Sequence, residues 1–181
     1  MAQEYEKKEL RQHIFDTPDT YVGGIESISV TQPILSISGN EKQIVHKEIE
    51  IIPALLNIFN EILVNARDQI VRLNQMAEKD KSIQQVTSIK INITDKNITV
   101  TNDGDGISVK LHDKEKIHIP QLIFGELLTS SNYKKDEKKI VGGKNGYGAK
   151  LVNIFSDKFT LTTVDRIAEK KYNQTWEKNM T

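Results

Sequence analysis

The sequence contains no cysteine among its 181 residues. A disulfide framework and any metal site built on thiolate ligands are therefore excluded. An excess of either charge is also missing, because 25 basic residues balance 25 acidic ones and the formal net charge is zero. This balance argues against a domain that binds DNA over its whole surface, although a local basic patch or a neighbouring domain could still contact DNA.

Long apolar runs are absent as well. No stretch approaches the ~18 residues that a membrane-spanning helix requires. The N-terminal run MAQEYEKKEL is charged rather than apolar, so we expect no secretory signal and no membrane partner. The hydrophobic fraction of 37% and the charged fraction of 28% are typical of a soluble globular domain, for which we expect an intracellular location.

Hydrophobic periodicity predicts an α+β fold. The longest helical pattern runs from Pro53 to about Glu78, and proline suits the first turn of a helix. We expect the helices to be layered on one face of a mainly antiparallel mixed sheet. Shorter helices are predicted over about 6–15, 120–128 and 146–155, and strands over about 34–38, 43–49, 86–94, 97–102, 158–165 and 171–176.

The long helix carries Glu61, Asn65 and Asp68 at spacings of four and three residues, which place them on one face. A carboxylate there could orient or deprotonate an attacking water. The side-chain oxygen of an asparagine is a hard ligand that suits Mg²⁺. The alternative is an ordinary solvated helix face, and three polar residues in isolation favour that alternative.

A glycine-containing loop, Asn102–Ile107, follows the last strand of the hairpin predicted over 86–102. We expect Gly104 and Gly106 to let the backbone approach a planar ligand closely. A side-chain acceptor at the strand end could take a hydrogen bond from the amino group of adenine. An Asx/Gly turn without a ligand is the alternative. An EF-hand is excluded, because the acidic residue that it requires downstream is missing.

Four glycines, at positions 142, 143, 146 and 148, precede an apolar helix. Backbone N–H groups at a helix start attract anions, and Lys144 and Lys150 would add positive charge. The segment is not a Walker loop, since Ala149-Lys150-Leu151 follows Gly148 where that motif has Lys and Ser or Thr. A flexible glycine hinge is the alternative, but the number of glycines favours phosphate binding.

The polar run Thr129–Asn132 offers hydroxyl and amide groups that could bind ribose or phosphate oxygens, although a plain polar loop is the default interpretation. Residues 129–145 are too many for a simple connector, and we expect a mobile lid there. Each of these four motifs is weak alone. Their order along the chain is much rarer by chance than any one of them.

Five strings carry a family resemblance that covers nearly the whole chain: EILVNARD (61–68), NDGDGI (102–107), LIFGELLTSSNY (122–133), GGKNGYGAKLVNIFS (142–156) and QTW (174–176). They resemble the ATPase domain of eukaryotic-type DNA topoisomerase II, a type IIA topoisomerase. That family belongs to the superfamily of gyrase, heat-shock chaperones, histidine kinases and mismatch-repair proteins. The resemblance implies a Bergerat-type ATP-binding fold. PDTYVGG (18–24) is similar to the N-terminal strap of the family.

The resemblance implies a role for each matching residue. Glu61 would be the catalytic general base, Asn65 would hold Mg²⁺ and Asn102 would contact adenine. Tyr21 would lie on the strap and contact the nucleotide of the partner subunit. The residues implied in ATP binding are Asn65, Asp68, Asn102, Ile107, Ser130, Ser131, Asn132, Gly143, Lys144, Asn145, Gly146, Tyr147, Gly148, Ala149 and Lys150.

The resemblance also implies a division of the chain and a set of partners. Residues 1–30 would form the strap and residues 31–181 the ATP-binding domain, with the transducer, cleavage and C-gate domains lying outside the chain. We expect a homodimer on ATP binding, duplex DNA as the partner of the full-length enzyme, and a location in the nucleus or at a site of replication, including a viral one. The isolated domain is expected to hydrolyse ATP weakly and to leave DNA uncut.

The chain departs from the family pattern at a few positions. Lys144 stands where arginine is usual, and a lysine would grip phosphate less well than a forked arginine. Ser108 and Glu126 replace a usual proline and glutamine, and Arg67 fills a position that is normally small. Two alternatives stay open: another ATPase of the superfamily, of chaperone, mismatch-repair or histidine-kinase type, and a nucleotide-dependent dimerisation module without turnover.

Overall fold

The computed structural model of the chain describes residues 7–129 and 147–181. Five helices and six strands lie in these two ranges. The helices are α1 (Leu10–Asp16), α2 (Pro18–Tyr21), α3 (Pro53–Lys79), α4 (Ile119–Gly125) and α5 (Gly148–Ile154). The strands are β1 (Ile28–Ser38), β2 (Glu41–Ile51), β3 (Ile89–Ile93), β4 (Ile98–Asn102), β5 (Lys158–Asp165) and β6 (Lys170–Glu177). The predicted lid over 129–145 lies outside the described residues, apart from Thr129.

The strands pair as antiparallel hairpins, β1 with β2, β3 with β4 and β5 with β6. Together with the helices they confirm the α+β class. Within the described residues these hairpins are separate two-stranded ladders rather than one continuous sheet. β1 begins six residues before the predicted strand, at Ile28 rather than Ile34, and it contains Pro33 opposite His46. Both strands of a two-stranded hairpin are edge strands, which tolerate a proline.

Helix α3 begins at Pro53 and ends one residue beyond the predicted limit, at Lys79. Three of its four buried side chains are alanines, and the fourth is Leu73. Its first turn contributes to one hydrophobic cluster and its last turns to another, around Ile83 and Val86. The helix therefore spans the body from one core cluster to the next, with its middle turns between them. None of the described helices has the length and apolar character needed to cross a bilayer.

The N-terminal segment packs into the same core as α5. Ile14 and Val22 are 0% and 3% exposed, and they share a cluster with Leu151 and Ile154. The segment is mostly polar in sequence, and its two buried apolar side chains attach it to the core. The division of the chain at residue 30 remains a prediction.

The loop after β4 is fastened to the chain just before β3 by one carboxylate. Asp103 accepts backbone N–H bonds from Thr87 at 2.7 Å and from Ser88 at 2.8 Å, and hydroxyl bonds from both. The hydrogen bond from the Thr87 hydroxyl and those from the two backbone N–H groups hold the pKa of Asp103 well below its ordinary value. The charged form of this carboxylate is therefore part of the folded structure.

We expect Asp103→Asn to lower the thermal unfolding midpoint at neutral pH. Because the folded pKa is lower than the unfolded value of 3.8, the carboxylate stabilises the native state above pH 3.8. That stabilisation is lost as the pH falls through the folded pKa. The midpoints of wild type and variant, measured by circular dichroism, should therefore converge below pH 3.8. A gap between them that stays constant down to pH 2 would contradict this role.

Candidate functional site

The acid–amide face of α3 lies against the first turn of α5. A Cβ placed on Gly148 would lie 2.1 Å from Oε2 of Glu61 and 3.8 Å from Nδ2 of Asn65. Real Cβ atoms do not approach an oxygen this closely, so only glycine fits position 148 without displacing the glutamate. The structure thus brings together residues that are 83 or more positions apart in the sequence.

Burial changes the acidity of Glu61. Its side chain is half-buried, and desolvation raises the pKa of the carboxyl above its ordinary value. A carboxylate with a raised pKa is a better proton acceptor, because the efficiency of a general base rises with its basicity. The raised pKa is compatible with the predicted role of Glu61 as a general base, which stays a prediction.

The side chain of Asn65 has its amino group occupied. Nδ2 donates to the backbone oxygen of Glu61 at 2.6 Å, which leaves Oδ1 as the acceptor on an exposed side chain. A hard amide oxygen beside a carboxylate fits Mg²⁺, which takes few protein ligands and completes its shell with water and phosphate oxygens. No group of three or more His, Asp or Glu side chains suited to a metal occurs among the described residues.

Asp68 lies on the same helix, nearly one turn beyond Asn65. Its carboxylate forms an ion pair with Arg67 at 3.3 Å, and the Arg67 side chain is 56% exposed. Exposed pairs of this kind contribute little to stability. The ion pair with Arg67 thus holds the carboxylate of Asp68 only weakly. The role of Asp68 in nucleotide binding stays a prediction.

Of the predicted residues at the start of α5, Gly148 lies against Glu61, whereas Ala149 lies in the core. Ala149 is buried with Phe124 and Trp176, and Ile107 packs against this cluster. Ile107 is held there by a hydrogen bond of 2.9 Å from its backbone N–H to the Thr163 hydroxyl. Ile107 and Ala149 were predicted from separate motifs, and the structure places them beside the same cluster.

Lys150 is a buried cation. It is 4% exposed, and its Nζ donates to the backbone oxygen of Thr129 at 2.8 Å. Desolvation lowers the pKa of this lysine to about 8. The contact joins α5 to the residue that directly precedes the predicted ribose- and phosphate-binding run, so the ammonium lies where that run begins.

Asn102 is the last residue of β4 and is partly buried opposite Ile89. The two glycines that follow it lie very close to other segments of the protein. A Cβ on Gly104 would meet Val86 at 2.8 Å, and a Cβ on Gly106 would meet the backbone oxygen of Val164 at 2.3 Å. These glycines let the loop pack against the protein itself. Their predicted approach to a planar ligand stays a prediction.

The structure also shows contacts of this loop that the sequence does not indicate. Asp105 is buried, and Arg166 binds it with two nitrogens, at 2.7 and 3.0 Å. The hydrogen bond from Arg166 lowers the pKa of Asp105, in spite of its burial. Gln69 on α3 donates to the backbone oxygen of Asp105 at 2.9 Å. No periodicity or motif links these three residues, because each comes from a different element.

Tyr21 contacts the start of α5 in its own chain. Its ring lies 6.2 Å from that of Tyr147 in an edge-to-face arrangement, and its hydroxyl lies 3.2 Å from Nδ1 of His13. A cavity of about 450 Å³ adjoins it, lined by Lys8, Leu10, His13 and Tyr21. The expected contact between Tyr21 and a partner's nucleotide stays a prediction.

The remaining predicted residues fall outside the described ranges. They are Ser130, Ser131, Asn132, Gly143, Lys144, Asn145 and Gly146. Their roles stay predictions. The described part of the site is consequently the side formed by α3, the start of α5 and the loop after β4.

Comparison with known proteins gives a consistent result. No family model matches the chain. The chain is 48% identical over 181 residues to DNA topoisomerase 2 of Meyerozyma guilliermondii, and 46% identical over 181 residues to that of Saccharomyces cerevisiae. It is 44% identical over 184 residues to DNA topoisomerase 2 of Acanthamoeba polyphaga mimivirus. Each match covers 99% of this chain, which spans only 12% to 14% of the relative's length.

With this identity over nearly its whole length, the chain belongs to the DNA topoisomerase 2 family. Solved structures show which part of the family it matches. The crystal structure of the ATPase region of S. cerevisiae topoisomerase II superposes with a TM-score of 0.82 at 43% identity, over 100% of this chain and 46% of that one. A structure of the ATPase and transducer domains from Balamuthia mandrillaris matches with the same TM-score over 98% of this chain and 42% of that one. The chain therefore corresponds to a part of the ATPase region.

Lys150 predicts a pH-dependent affinity for polyphosphate. An anion binds the charged ammonium, so affinity for inorganic tripolyphosphate should fall as the pH rises through about 8, and binding near that pH should take up protons. Lys150→Met should weaken binding and remove the proton uptake, whereas Lys79→Met at the exposed end of α3 should change neither. Calorimetry in buffers of different ionisation enthalpy measures both quantities. Equal proton uptake by wild type and Lys150→Met would contradict the assignment.

Proposed function

We propose that this chain binds ATP with Mg²⁺ between α3 and the first turn of α5 and hydrolyses it. The observation that carries the proposal is the packing of Gly148 against Glu61 and Asn65. It brings Glu61 and Asn65 beside the first turn of α5, which supports a base, a metal ligand and a phosphate site at one point of the molecule. The solved structures that the chain resembles are named as ATPase regions, which supports the same reading.

Each described residue has a distinct task in this proposal. Glu61 orients and deprotonates the attacking water, and burial has already raised its affinity for that proton. Asn65 offers Oδ1 to Mg²⁺, since its amino group is bound to the helix backbone. Bound Mg²⁺ would neutralise the charge that develops on the phosphate oxygens. Lys150 contributes positive charge from α5.

The adenine end is assigned to the loop after β4. Asn102 stands at the end of that strand, and its side-chain amide can pair with the edge of an adenine base. Asp103 and Asp105 are bound to the protein itself, so Asn102 is the polar side chain of this loop that remains for a ligand among the described residues. Ser130, Ser131 and Asn132 complete the proposal as contacts to ribose and phosphate.

The activity of a whole topoisomerase involves more than this chain. We infer that in a full-length protein ATP binding closes two copies of this domain into a dimer, and that the closed clamp captures a duplex DNA segment for strand passage. The relatives are named DNA topoisomerase 2, and this chain spans about an eighth of their length. Breakage chemistry is assigned to the remainder. Such a protein would work where DNA is replicated, in a nucleus or, as the mimivirus relative allows, in a viral setting.

Two variants test Glu61 as the general base. Glu61→Gln removes the proton acceptor, and Gly148→Ala leaves it in place but forces its carboxylate aside, because the added Cβ would lie 2.1 Å from Oε2. We expect Glu61→Gln to lower the hydrolysis rate of ATP by about 100-fold or more, the usual range for loss of a general base, with affinity for a non-hydrolysable analogue retained within a few-fold. We expect Gly148→Ala to lower the rate less, because the atom it displaces is the flexible end of the Glu61 side chain. Steady-state turnover and calorimetry measure the two effects.

Glu78→Gln supplies the matched control, since Glu78 is an exposed glutamate on the same helix. It should leave turnover unchanged. Hydrolysis by Glu61→Gln at the wild-type rate would exclude Glu61 as the base. Binding of the analogue without any turnover by wild type, even in a longer chain, would instead identify a nucleotide-dependent dimerisation module.

A further inference from the structure

The buried carboxylate of Asp105 is the meeting point of three separate elements. Its Oδ1 and Oδ2 accept the forked hydrogen bonds of Arg166, and Oδ2 also accepts the backbone N–H of Gln84 at 3.0 Å. The backbone of Asp105 is engaged as well, donating to the oxygen of Gln84 at 2.9 Å and accepting from Gln69. Every polar group of this residue therefore has a partner.

Arg166 reaches Asp105 from a turn that is itself held in place. It follows β5, and the preceding residue, Asp165, accepts backbone N–H bonds from Val109 at 3.0 Å and from Ala168 at 2.9 Å. Arg166 also donates to the backbone oxygen of Ser82. A planar guanidinium bound at two acceptors in this way fixes both the distance and the orientation of its partner.

These contacts add to those of Asp103 in holding the proposed adenine loop, because they fix its far side against α3 and β5. Asn102 precedes Asp105 by three residues, and the same loop is tied to β5 by the Gly106 N–H bond to Val164 at 3.2 Å. Gln69 connects Asp105 to α3 about two turns beyond Glu61. The network thus joins α3, which carries the proposed general base Glu61, to the loop that carries Asn102.

We propose that Arg166, through its forked bond to Asp105, is a positioning residue that holds Asn102 at the distance from α3 that an adenine nucleotide requires. This inference rests on the proposed ATP site and extends it to a residue that touches no nucleotide. Removal of the fork loosens the loop at Asp105, although the bonds of Asp103 and Gly106 remain, and it leaves the start of α5 and the acid–amide face in place. Loss of the bond between Arg166 and Asp105 should therefore weaken binding of the adenine base and leave binding of the phosphates unchanged.

Affinities for two probes separate this role from a merely structural one. The probes are a non-hydrolysable ATP analogue with Mg²⁺ and inorganic tripolyphosphate with Mg²⁺, and the protein is the 181-residue chain. Arg166→Met should weaken binding of the ATP analogue by roughly tenfold, the size expected for the loss of one or two hydrogen bonds to the base. Affinity for tripolyphosphate should remain within about twofold. Arg166→Lys, which keeps the charge but loses the fork, should show the same pattern with a smaller loss and serves if Arg166→Met does not fold.

Lys158→Met is the matched control. Lys158 lies on the same hairpin and forms an exposed pair with Glu177 at 3.7 Å, with both side chains 63% exposed. Its loss should change neither affinity. Equal weakening of both probes by the Arg166 variants would show a general loss of structure, and unchanged binding of the ATP analogue would show no role at all; either result overturns the inference. A wild-type chain that fails to bind the ATP analogue overturns the proposed function, and this inference with it.

Discussion

The first turn of α5 lies against α3 at Gly148, where a Cβ would displace the carboxylate of Glu61. Because Gly148 has no side chain, the carboxylate of Glu61 and the amide of Asn65 can face the start of α5 at contact distance. The neighbouring residues follow from this placement. Tyr147 is brought to the ring of Tyr21, Ala149 enters the cluster around Trp176, and Lys150 reaches the chain at Thr129.

Burial at this junction acts in opposite directions on two charged groups. It raises the pKa of Glu61 and lowers that of Lys150, so each group is pushed towards its neutral form. A ligand that carries both a metal cation and a polyphosphate anion would restore favourable partners to both. The charged forms of both groups are poorly solvated, and this favours a charged ligand over an apolar one.

The elements that depend on local sequence were predictable. α3 shows a long helical period after a proline, and β5 was predicted with its observed limits because its alternating pattern is undisturbed. The short helix α2 could not be predicted, since four residues carry too little periodicity to show a helix. The early start of β1 was missed, because Pro33 interrupts the pattern of a strand.

The site was predictable only as a set of motifs, since their meeting depends on tertiary packing. Glu61 and Gly148 were each named from their own segments, but nothing local shows that they touch. The packing of Gly104 and Gly106 could not be predicted for the same reason, because the atoms that exclude a Cβ belong to other segments. Arg166 could not be found at all, since its partner Asp105 lies 61 residues away in the sequence.

A crystal structure of the chain with a non-hydrolysable ATP analogue and Mg²⁺ tests the central claim most directly. The account predicts a metal with Oδ1 of Asn65 among its ligands, a terminal phosphate facing Glu61 across the first turn of α5, and the base beside Asn102. A nucleotide bound elsewhere, or one whose phosphates lie away from Glu61 and Gly148, would contradict it.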